Sequence, residues 1–100
     1  MIHHIVLVKF RADVSDAQRQ KIWDDLADLK DVVDGLESAT FGPNISPETL
    51  ARGYTHGFIM VFRDVESRDT YLTHPAHKTA GANLVNALEG GVEGLLVVDV

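Results

Sequence analysis

One hundred residues with 15 acidic and 9 basic side chains carry a formal charge of −6, which argues against binding nucleic acid or an anionic membrane surface non-specifically. With 45% hydrophobic and 24% charged residues, the chain belongs to the soluble globular class and is long enough for one domain, residues 1–100. Cysteine is absent, so disulfide, thiolate-metal and cysteine-nucleophile chemistry are closed.

The opening apolar run lacks a basic n-region and a small-residue cleavage site, and no segment is long enough to span a bilayer. A cytoplasmic location is the default expectation. Residues 2–10 read as a strand, with Ile2, His4, Val6, Val8 and Phe10 on one face. The other face carries His3, Ile5, Leu7 and Lys9. Two apolar faces predict a sheet covered on both sides. A chain this short supplies helices for one side only, and the second side calls for a partner subunit.

Ser15 and Gln18 have the spacing of a capping box. Ile22, Leu26, Leu29 and Val33 then follow at helical spacing, with Trp23 and Val32 widening the stripe and Gly35 closing the helix as its C′ residue. Residues 36–42 read as a short strand, broken at Gly42-Pro43-Asn44. The connection over 43–53 has at most a helical turn at 48–51, and its length suits a cover for a pocket or an interface. A third strand is expected over 54–62.

Residues 64–73 read as a short helix with Val65, Tyr71 and Leu72 inward. His74 precedes a proline and is biased to extended backbone. Pro75 opens a second helix that runs to about Glu89 and stops at Gly90-Gly91; residues 92–100 give a last strand. The order β-α-β-β-α-β predicts an α+β, ferredoxin-like fold, an antiparallel sheet with its helices on one face. The uncovered face predicts a homodimer packed sheet to sheet around a barrel-like core.

The chemistry-bearing residues gather at Tyr71-Leu72-Thr73-His74-Pro75-Ala76-His77. His77 shares a helical stripe with Gly81, Leu84 and Leu88, so it is expected to face the sheet. Burial and the positive end of the helix dipole both favour its neutral form, which suits a general base. The same placement also suits a core histidine held by a hydrogen bond. Tyr71 is positioned to converge on the same cavity and to polarise a ligand carbonyl. His4 and His56 line that cavity if their strand faces lie on the helix side. His74 and His77 could pair as metal ligands, but the Pro75 break does not assure helical H-x-x-H geometry, and no metal is expected. No nucleotide-binding glycine motif is present, and no cofactor is expected.

The segments His4–Phe10, Gly42–Glu48, Gly53–His56 and Tyr71–His77, in this order over nearly the whole chain, resemble the stress-responsive α/β-barrel domain (Dabb) family. The resemblance implies ferredoxin-like subunits that dimerise through their sheets. A plant member of the family performs a cofactor-free aldol cyclisation of a linear polyketide. Its catalytic histidine and tyrosine match His77 and Tyr71, and its strand histidines match His4 and His56. Leu26 and Leu88 stand where that member has a first-helix aromatic and a tryptophan. The resemblance therefore implies a site of His77 and Tyr71, with His4, His56, Val6, Val8, Leu26 and Leu88 facing a small apolar or carbonyl ligand. A non-enzymatic stress or assembly protein, in which these residues are structural, is the alternative.

Overall fold

The computed structural model describes residues 1–100. Four strands, β1 (Ile2–Val8), β2 (Leu36–Pro43), β3 (His56–Phe62) and β4 (Leu95–Asp99), alternate with helices α1 (Asp16–Ala27), α2 (Val65–Thr73) and α3 (Pro75–Asn86). The strands form one sheet in the order β2-β3-β1-β4, with every neighbouring pair antiparallel. This is the ferredoxin-like β-α-β-β-α-β arrangement expected from the sequence, with the second helical region split at His74-Pro75.

Register decides what each face carries. His4 pairs with Met60 and Asp99, Val6 with Phe58, and Val8 with His56, so these side chains share one face. Val6, Val8, Phe58, Met60 and Phe62 are buried there together with Ile22, Leu26, Leu29 and Leu84 of the helical layer. Each such side chain contributes about 1.5–3 kcal/mol on burial. The opposite face holds Ile5 and Leu7 beside Ile59, Leu96 and Val98, of which the last three are 42%, 40% and 47% exposed. One apolar face is sealed and the other is open.

The capping box at α1 forms as expected, with the Gln18 amide donating to Ser15 Oγ at 3.1 Å and the Ser15 amide to Gln18 Oε1 at 2.7 Å. Other boundaries differ. The first strand ends at Val8 rather than Phe10, because the chain there turns to the end of α3; Phe10 bridges Leu88, and the Glu89 amide donates to the Lys9 carbonyl at 2.8 Å. α1 stops at Ala27 and passes into a 3₁₀ turn over Asp28–Asp31. The tighter turn advances the angular phase of the chain, so Leu29 and Val33 stay inward while Val32 is exposed rather than part of the stripe. Gly35 consequently sits in the turn to β2, not at the end of α1.

In α2 the buried pair is Ser67 and Tyr71, one turn apart, whereas Val65 and Leu72 face outward. Ser67 comes close to Gly35, which has φ +86°; a Cβ at Gly35 would stand 2.1 Å from Ser67 Oγ. No helical turn forms at 48–51. Thr49 and Arg52 instead take left-handed backbone with φ 57°, and β3 begins at His56 rather than Tyr54. α3 ends at Asn86, and a 3₁₀ turn over Gly91–Gly94 precedes β4.

Candidate functional site

The α2–α3 junction aims the site. His74 takes extended backbone (φ −68°, ψ 132°), which ends α2, and it then caps α3, the Ala76 amide donating to His74 Nδ1 at 3.0 Å. Pro75 occupies the first turn, where no amide proton is needed. The chain changes direction there and brings His77 back over Tyr71, with ring centroids 4.2 Å apart at 44°.

His77 is half-buried, and its Nδ1 donates to the Leu72 carbonyl at 3.3 Å. That bond assigns the proton to Nδ1 and leaves the Nε2 lone pair free. Burial lowers the His77 pKa, the Leu72 hydrogen bond opposes this, and the neighbouring His4, His74 and Lys78 lower it further. The imidazole is thus neutral at neutral pH. Tyr71 is 1% exposed, and burial raises its pKa strongly. It remains a phenol, able to donate.

His4 completes the cluster from β1. Its ring stands edge-on to Tyr71 at 5.8 Å and to Phe62 at 6.1 Å. Its Nδ1 donates to Asp99 Oδ1 at 2.7 Å, the register partner on β4. Asp99 was not singled out from the sequence, because only the pairing of the first and last strands brings it to His4. Burial pushes its carboxyl upward, but hydrogen bonds from Arg68 and His4 outweigh this and hold it below the usual carboxylate range.

His56 does not join these groups. It shares the inner face, four residues along the ladder from the His4 pair, and stacks edge-on against Phe10 at 5.0 Å. Its pKa is lowered by burial and then by the Arg19 charge. Val6, Val8, Leu26 and Leu88, expected to face a ligand, are 0–3% exposed and packed as core. The largest of the four main concavities, about 570 Å³, opens elsewhere. It lies between the outer-face residues Ile5, Leu7 and Ile59 and the 43–54 connection, and His56 is among its lining residues. The arrangement of Tyr71, His77 and His4 offers one proton acceptor, one hydrogen-bond donor and a carboxylate-oriented imidazole. No group of three or more histidine, aspartate or glutamate residues is disposed to hold a metal ion, and no helix is long and apolar enough to cross a membrane.

Comparison with known proteins agrees with this architecture. Olivetolic acid cyclase of Cannabis sativa is 25% identical over 76 residues, covering 76% of this chain and 75% of that protein. The stress-response A/B barrel domain-containing protein HS1 of Arabidopsis thaliana is 28% identical over 98 residues, covering 98% of this chain and 86% of its own length. A crystal structure from Jannaschia sp. CCS1, described as a dimeric ferredoxin-like protein of unknown function, superposes with a TM-score of 0.91 at 30% identity, covering 99% of this chain and 96% of that one. The model of the Stress responsive A/B Barrel Domain matches residues 2–100, and the chain belongs to that family.

Proposed function

We propose that the Tyr71–His77 pair is a cofactor-free acid/base site acting on a small carbonyl compound, in a chain that works as a homodimer. The observation that carries the reading is the close approach of a neutral histidine to a protonated tyrosine, ring centroids 4.2 Å apart. Nε2 of His77 would take a proton from the carbon next to a carbonyl, and the Tyr71 hydroxyl would donate to the carbonyl oxygen as negative charge develops on it. The resulting enolate is the nucleophile that an aldol-type ring closure requires. The similarity to olivetolic acid cyclase supports this class of chemistry. Dimerisation is supported by the open apolar face and by the dimeric relative from Jannaschia. The differing residues Leu26 and Leu88 argue for a substrate other than the plant one.

Native mass spectrometry for copurifying small molecules names candidate ligands, and exchange of their α-protons into D₂O, followed by NMR, tests the step itself. Exchange in the wild type should fall by about 10²–10⁴-fold in His77→Ala and also fall in Tyr71→Phe. Undiminished exchange in His77→Ala overturns the assignment.

One observation favours a non-enzymatic reading. Val6, Val8, Leu26 and Leu88 pack as tightly as the rest of the core, so the same motif can serve the fold and the dimer. Greater stability in Tyr71→Phe and His77→Leu, with no ligand copurifying, is the outcome that this reading expects.

A further inference from the structure

Arg68 lies three residues before Tyr71 on α2, so both side chains leave the same helix on adjacent parts of one face. Its Nη1 donates to Asp99 Oδ2 at 2.6 Å, while its Nε donates to Asp69 Oδ1 at 2.8 Å. The two oxygens of Asp99 are therefore divided, Oδ2 to Arg68 and Oδ1 to His4. We infer that Arg68 is a positioning residue, which fixes the Asp99 carboxylate and through it decides which ring nitrogen of His4 is available to Tyr71 and His77.

The inference rests on the acid/base reading above, and its logic is geometric. Asp99 ends the edge strand β4 and is half-buried, so a carboxylate held by His4 alone could rotate toward water. The guanidinium removes that freedom by holding the second oxygen in a charge-assisted hydrogen bond. A carboxylate only accepts, so His4 must keep its proton on Nδ1. Nε2 is then the only ring nitrogen of His4 left for the cluster. The groups around this imidazole are Asp99 from β4, Phe62 from β3, Tyr71 and Arg68 from α2, and His77 from α3. Among them Asp99 alone is anionic. One helix thus delivers both the proposed hydrogen-bond donor and the clamp that sets its histidine neighbour.

The test is ¹⁵N NMR of the histidine side chains in the wild type, Arg68→Met, Arg68→Lys and Asp99→Asn. The wild type should show His4 in the Nδ1–H form, with the Nε2–H form below about one tenth; in Arg68→Met that form should rise several-fold, because the Asp99 carboxylate, no longer held at Oδ2, can turn away from Nδ1. Arg68→Lys, which keeps one donor, should restore most of the wild-type state. Asp99→Asn alters the group touching His4 directly and must move the signal in any case. If Asp99→Asn shifts the tautomer and Arg68→Met does not, Arg68 merely ties α2 to β4 and the inference is overturned. This readout needs no turnover, so it fails or succeeds independently of α-proton exchange in His77→Ala.

Discussion

The imidazole of His77 lies against the phenol of Tyr71, ring centroids 4.2 Å apart and tilted by 44°, although the two side chains belong to different helices. Burial acts on them in opposite senses. It lowers the histidine pKa and raises that of the tyrosine, because in each case the neutral form is favoured. At neutral pH the pair is one acceptor beside one donor.

The same shift links stability to pH. Folded His77 binds a proton less readily than the unfolded chain, whose histidines titrate near 6.5. As pH falls through that value the unfolded state takes up more protons, so stability is full above about 6.5 and is lost below it. His56 is shifted in the same direction and adds to the loss. Thermal melting should therefore drop between about pH 7.5 and pH 5, and the drop should be shallower in His77→Gln and in His56→Gln. Equal slopes in His77→Gln and the wild type would remove His77 as a source.

Gly81 lies one turn beyond His77, and a Cβ there would meet His77 Nε2 at 3.8 Å, an ordinary contact. Gly81→Ala should raise stability by about 0.5–1 kcal/mol, since the glycine is helical and alanine loses less backbone freedom on folding. The same methyl crowds the free nitrogen. α-Proton exchange should accordingly fall, and chemical denaturation run alongside should show the protein more stable. A stabilised variant with unchanged exchange would mean that the substrate does not approach Nε2 past Gly81.

Local signals were legible where one element decides the outcome. The Ser15–Gln18 capping box and the inward run of Ile22, Leu26 and Leu29 follow from spacing alone, and so does the bend at His74-Pro75. The pairing of His4 with Asp99 spans 95 residues and depends on the β1–β4 register, which no local pattern encodes. His56 and His4 lie on the same face, as their parity allows, but at different places along it, and periodicity does not distinguish these. Val32 leaves the apolar stripe that helical spacing predicts because the segment before it tightens to 3₁₀. The capping role of His74 was missed for a chemical reason: histidine is not among the usual N-cap residues, yet its unprotonated Nδ1 accepts an amide as an asparagine oxygen would.

That cap is itself testable. His74→Ala leaves the Ala76 amide without its acceptor and should cost about 1 kcal/mol, the usual loss for an N-cap. His74→Asn should recover most of it by supplying a side-chain oxygen at the same position. Urea denaturation of the three proteins measures both differences. If His74→Asn is as unstable as His74→Ala, the imidazole contributes through packing rather than through the cap.

The open sheet face carries the last prediction. Ile59 sits mid-strand on β3, opposite Ile5 on β1 and Thr40 on β2, and is 42% exposed in the single chain. If two sheets meet there, Ile59→Lys buries a charge with no partner, a cost of several kcal/mol that should dissociate the dimer. Val32→Lys, at a site 55% exposed and off the sheet, is the matched control and should leave assembly unchanged. Light scattering after size-exclusion chromatography should give the dimer mass for the wild type and the control. It should give the monomer mass for Ile59→Lys, whose circular dichroism should still report folded secondary structure. A wild-type monomer, or a dimer that survives Ile59→Lys, would exclude this face as the contact, and the apolar row of Ile5, Leu7, Ile59, Leu96 and Val98 would then need another cover.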